Sequence, residues 1–147
     1  MYVRNQVASS QAQADDFLSK TAALAKKGQL SAIIQGMLQY PGRENVQGQA
    51  CGALRSLTFN NADNQVKVAA EGGIRAILGA MQGHPASAQV QERACGALLN
   101  LTSNDDNKVK VKSAGAEDAV KRAMALKDVT AMTKEWGAKL LDRLKKV

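Results

Sequence analysis

Residues 28–60, GQLSAIIQGMLQYPGRENVQGQACGALRSLTFN, align without a gap on residues 72–104, GGIRAILGAMQGHPASAQVQERACGALLNLTSN, with 15 identities in 33 positions. The matches include Ala50-Cys51-Gly52-Ala53-Leu54 on Ala94-Cys95-Gly96-Ala97-Leu98, so the period is 44 residues. A more diverged third copy follows at an offset of 43, where Asn64, Val66, Lys67, Val68 and Gly72 map to Asn107, Val109, Lys110, Val111 and Gly115. A fixed period of this length decides the fold class before any element is assigned, because one unit is too small to bury its own apolar face.

Within a unit the apolar spacing is helical. Ile74, Ile77, Leu78 and Met81 follow the i, i+3, i+4, i+7 pattern of one face. Gly72-Gly73 breaks the chain before this helix, and Pro85 after it biases His84 away from helical geometry. Val90, Ala94, Ala97, Leu98 and Leu101 then form the single stripe of a longer helix. Ahead of the glycine pair, Asp63-Asn64 is placed to cap a short helix running through Ala70. Each unit therefore reads as short helix, helix, long helix. No strand competes, since β-branched and aromatic alternation is missing. The expected class is all-α, with neighbouring units stacked into an elongated shared core, an α-solenoid.

The runs NQVKVAAEGGIRAIL (residues 64–78) and ACGALLNLT (residues 94–102) resemble the armadillo repeat, and the likeness covers roughly residues 12–147. It implies a right-handed α-solenoid of about three armadillo-like repeats in a single domain. Residues 1–11 would be a tail or helix fragment, 12–60 the first repeat, 61–104 the second, and 105–147 a diverged basic capping repeat. The short helix of the first repeat is expected to begin at Asp15-Asp16 and to stop at Lys26-Lys27-Gly28. In the third copy Glu117, Val120, Lys121 and Met124 replace the apolar stripe, so two of its four positions are charged, as a terminal cap requires. The last helix, about residues 130–146, aligns Trp136, Leu140, Leu144 and Val147 as a docking stripe.

The resemblance also implies a site. Long third helices line a concave groove in that family, where an Asn near the helix end holds the backbone of a partner peptide. Asn100 matches that Asn, whereas Ser56 and Arg143 occupy the corresponding positions of the neighbouring repeats, and the groove tryptophan of some members falls on Gly52, Gly96 and Lys139. The residues assigned to the partner-binding concave face are Ser56, Arg93, Asn100, Trp136, Lys139 and Arg143. Cationic Lys139 and Arg143 beside Trp136 favour an acidic partner segment through charge-assisted contacts and stacking.

Other chemistries have little support in the sequence. Cys51 and Cys95 share one repeat position and read as small packing residues between stacked long helices. Helices pack about 8–10 Å apart, too far for a disulfide, which needs Cα atoms within roughly 7 Å. With two Cys and a single His, the chain has too few soft ligands for a structural zinc site. His84 has no nucleophile or carboxylate at a telling spacing, and Asp105-Asp106 reads as a capping turn. Gly52 and Gly96 each cost a helix about 1 kcal/mol relative to Ala, so close stacking or close approach of a ligand must compensate. No catalytic residue, cofactor or metal is assigned, and the chain is expected not to be an enzyme.

The 147 residues carry a net charge of +7 with 3% aromatics. Residues 1–107 hold 9 basic and 8 acidic side chains, whereas residues 108–147 hold 11 and 5, so the excess lies at one end. This weakens nucleic-acid binding along the length and favours an acidic protein partner at residues 108–147. RNA, DNA or ribonucleoprotein binding through the basic C-terminal repeat is the alternative, disfavoured by the shortage of stacking platforms. No apolar h-region follows the N-terminus and no run of 18 apolar residues occurs, so neither secretion nor membrane insertion is expected. The expected setting is intracellular, most simply cytoplasmic, with nuclear or organellar sites left open. The leading function is a protein-interaction module or a small scaffold subunit of a larger complex.

Overall fold

The computed structural model describes residues 2–147, with side chains from Gln11 onward. It is all-α. Among the described residues there are nine helices and no strand: α1 (Tyr2–Lys26), α2 (Leu30–Gln39), α3 (Glu44–Thr58), α4 (Ala62–Ala70), α5 (Gly73–Gly83), α6 (Ala88–Leu101), α7 (Asp105–Ser113), α8 (Ala116–Met124) and α9 (Ala131–Lys145). No helix among them is long and apolar enough to cross a membrane.

Helices at corresponding places in the sequence period pack on one another. The long helices follow in the order α3, α6, α9, α2 packs on α5 and α5 on α8, and α4 touches α7. Both expected stripes are buried: Ile74, Ile77, Leu78 and Met81 of α5, and Val90, Ala94, Ala97, Leu98 and Leu101 of α6. They join Leu30, Ile33, Ile34 and Leu54 on one side and Val120, Leu140 and Leu144 on the other in a continuous core.

The breaks between helices are local chemistry repeated along the chain. Gly72 and Gly115 precede α5 and α8 in the left-handed region, at φ 86° and 89°, where a Cβ would be strained. The cap of α4 is Asn61 rather than Asp63-Asn64, its side chain accepting from Asn64 N at 2.9 Å. Asn104 does the same for α7 at 2.9 Å, so Asp105 and Asp106 lie in the first turn instead of capping. An Asx cap must stand outside the helix, three residues before the N–H group it receives. Asn64 and Asn107 are thereby released to donate to Leu57 O and Leu101 O, tying each short helix to the end of the preceding long one.

Pro41 and Pro85 leave a carbonyl vacant four residues back, at Met37 and Met81, because proline has no N–H group. Gln47 and Gln91 fill the vacancies. Each buried amide donates to that carbonyl at 3.0 Å and to the helix-ending carbonyl of Tyr40 or His84 at 2.9 Å.

Two expectations at the ends of the chain also need correction. The first helix does not begin at Asp15-Asp16: α1 is unbroken from Tyr2 to Lys26, because residues 2–27 contain neither Gly nor Pro to stop it. Residues 44 and 88 positions further on, Phe59-Asn60-Asn61 and Ser103-Asn104, do interrupt the helix, with Asn60 at φ 50°. One helix thus packs against both α2 and α3. Val147 lies beyond α9 with an exposed side chain, so it is no part of the docking stripe; only its carbonyl reaches back, accepting from Lys112 Nζ at 3.2 Å. Trp136, half-buried, keeps its place on the docking face with Leu140 and Leu144, packed against the core beside Gly96 of α6.

Candidate functional site

The stacked faces of α3, α6 and α9 enclose a groove of about 690 Å³, whose lining includes Arg55, Ser56, Asn100, Trp136, Lys139 and Arg143. Five of the six residues assigned from sequence therefore meet in one place. The sixth, Arg93, lines the neighbouring depression of about 450 Å³, which shares Arg55 and Ser56 with the groove. Three of the groove's lining residues are cations and none is Asp or Glu. The formal charges of its lining are accordingly of one sign.

The long-helix glycines make room for side chains from neighbouring helices. A Cβ on Gly52 would stand 3.3 Å from Cδ of Arg93, and one on Gly96 would stand 2.6 Å from Cδ of Arg55 and 2.9 Å from Cζ3 of Trp136. Through the gap at Gly96, Arg55 of α3 crosses α6 and lays its guanidinium over the Trp136 ring of α9, 5.0 Å from the ring centroid. Cation–π attraction at a partly desolvated site contributes about 0.5–2 kcal/mol.

Arg55 is the groove cation absent from the residues assigned from sequence. Its counterpart one period on is Leu99, so the alignment presents it as a core-helix position with an incidental charge. The one available signal was the glycine at position 96, which announced that something large comes close to α6.

Asn100 and Arg143 occupy equivalent positions and use them alike. Asn100 Nδ2 donates to Arg55 O at 2.8 Å, and Arg143 Nη1 donates to Leu99 O at 2.6 Å and to Thr102 Oγ1 at 3.3 Å. Both carbonyls lie in the last turns of their helices and take these bonds as additional ones, Arg55 O also accepting from Phe59 N at 3.1 Å and Leu99 O from Thr102 Oγ1 at 2.8 Å. These side chains thus spend one N–H on tying adjacent long helices together, and Asn100 keeps one for anything in the groove. Ser56 is exposed and makes no such bridge. Lys139 pairs with Glu135 of its own helix at 3.2 Å, an exposed contact that contributes little.

No protein-family model, curated protein or solved structure matches this chain. The site is therefore read from its own geometry.

His84 ends α5 and its Nε2 lies 2.8 Å from Pro41 O, a link between neighbouring turns of the chain. Asp105 pairs with Lys108 at 3.1 Å within α7. Among the described residues no three His, Cys, Asp or Glu side chains stand together as a metal site.

Cys51 and Cys95 are free and buried. Desolvation pushes both thiols up from the usual 9.0 to about 12; at Cys51 nearby Arg93 partly opposes this, and Cys95 adds to it. Thiolate, the reactive form, is thus suppressed in the folded chain. A thiol-specific disulfide reagent at mildly alkaline pH should leave the folded protein unlabelled and modify both cysteines once denaturant is added; rapid labelling without denaturant would contradict this burial. Because the folded pKa lies above the unfolded one, stability from these thiols is complete below pH 9.0 and falls away as pH rises toward about 12. A Cys51→Ala/Cys95→Ala variant should lose less stability than the parent across that window.

Proposed function

We propose that the chain is a short armadillo-like α-solenoid of about three repeats that acts as a non-enzymatic protein-interaction module or small scaffold subunit. It takes an acidic, extended partner segment along the groove of α3, α6 and α9. The observation that carries this reading is a groove lined by three cations and no carboxylate, at the junction of helices that recur with the sequence period. A prestacked, rigid lining limits the ordering cost on the protein's side of association. Opposite charge supplies orientation and encounter rate more than raw affinity. With helix axes about 8–10 Å apart and an extended chain rising about 3.3 Å per residue, three helices span a segment of roughly six residues.

The test is affinity capture with the purified chain beside a Ser56→Glu/Lys139→Glu variant, both substitutions being at exposed side chains. Acidic partners recovered by the parent and lost by the variant are expected. Equal recovery by both would remove the groove from the reading, and retention of RNA with a steep salt dependence, lost in the variant, would replace the protein partner by nucleic acid.

A further inference from the structure

We infer that Arg55, held against Trp136, is the carboxylate-reading residue of this groove. The inference rests on the groove's being a peptide site, and adds which residue reads which chemical group. Three observations lead there. First, the groove's cations differ in what they already hold. Lys139 has an exposed, weak pair with Glu135, and Arg143 uses Nη1 on Leu99 O and Thr102 Oγ1. The Arg55 guanidinium has no hydrogen bond or ion pair among the described residues, and its Nε is buried without an acceptor.

Second, the stacking on Trp136 leaves that need unmet. A π face attracts the charge of a guanidinium lying over it, but its N–H bonds lie in the guanidinium plane and require acceptors at the edge. Nε is enclosed by the surrounding protein, whereas the two Nη groups, also without partners, are not, and they are the donors that an incoming acceptor meets. Two oxygens of one carboxylate match the guanidinium fork, and a bidentate charge-assisted pair is among the stronger contacts available to a side chain.

Third, the position is preorganised. Gly96 lets Arg55 cross α6, and the Trp136 ring holds the guanidinium 5.0 Å from its centroid, so little side-chain freedom remains to be lost when an anion arrives. The same contact fills the ring face that would otherwise receive a cation from a partner. Trp136 therefore turns the groove toward Asp and Glu and away from Lys and Arg.

Trp136 is the chain's one tryptophan, so its emission reports on this contact alone. The probe is a blocked hexaglutamate peptide, with blocked hexaglutamine and an oligouridylate of similar length beside it, titrated by fluorescence and calorimetry at low salt. Hexaglutamate should change Trp136 emission and bind at least tenfold more tightly than hexaglutamine. Arg55→Met should weaken it by about 10–100-fold. Arg55→Lys, which keeps the charge and lacks the planar fork, should also lose about tenfold, while Lys134→Gln, a cation outside the groove lining, should change nothing.

Thermal melts of the Arg55 variants separate lost binding from lost folding, and the Lys variant keeps the test open if the Met variant unfolds. Parent-like binding by Arg55→Lys, or hexaglutamate binding with unchanged Trp136 emission, would overturn Arg55 as the reader. In that case loss of binding in Ser56→Glu/Lys139→Glu would leave the groove as a peptide site with another reader. Failure of both peptides to bind, or preferential binding of oligouridylate, would overturn the reader and the peptide site together.

Discussion

Leu98→Ala should lower stability by about 3 kcal/mol, within the 2–5 kcal/mol range of Leu truncations in packed cores. Leu98 is fully buried in α6, the helix that packs on both α3 and α9, so the cavity opens in the middle of the stack. The neighbouring walls, Leu54, Ile77 and Leu101, are themselves fully buried and have little freedom to close the space. Against a total of about 5–15 kcal/mol for a domain, such a loss is large. It should appear as a fall in Tm of roughly 6–12 °C and in the denaturant midpoint with an unchanged slope. A loss below about 1 kcal/mol would mean that α6 is not a central element of the core.

Gln91→Leu should cost about 2–3 kcal/mol although it makes a buried residue more apolar, because the carbonyls it serves stay where they are. Gln91 is almost fully buried, and its amide donates to Met81 O and His84 O. Met81 O has no intrahelical alternative, since the residue four places on is Pro85. Met81 O is left without a donor, at a cost of about 1–3 kcal/mol, and His84 O loses one of its two donors but keeps Ser87 N at 3.1 Å. Pro85→Ala restores an N–H at the right position, so Gln91→Leu should hurt less in that background. Chemical unfolding of the four proteins of this double-mutant cycle measures the coupling, and strict additivity would disprove the replacement of the prolyl N–H by the glutamine amide.

Pro41 with Gln47 and Pro85 with Gln91 are paired in the two similar units, and the third unit has neither: Asp128 and Lys134 stand in the matching places. The pattern is visible in the sequence, but the reason for it is a contact across a turn. Asn61 and Asn104 are similar. Either Asn or Asp nearby satisfies the composition of a cap, and only the backbone position separates the capping residue from one in the first turn.

What the sequence alone determined was the all-α class, the buried faces of α5 and α6, and five of the residues that meet in the groove. The first two follow from spacing within a helix, since a period of 3.6 residues maps directly onto a face, and the five groove residues follow from the resemblance to the armadillo repeat. Tertiary structure alone decided the rest. It made α1 one helix packing on both α2 and α3, and brought Arg55 across α6 to meet Trp136. Those outcomes depend on what a side chain finds on two other helices. Gly96 records only that space is needed there; which side chains fill it is settled by the stacking of α3, α6 and α9.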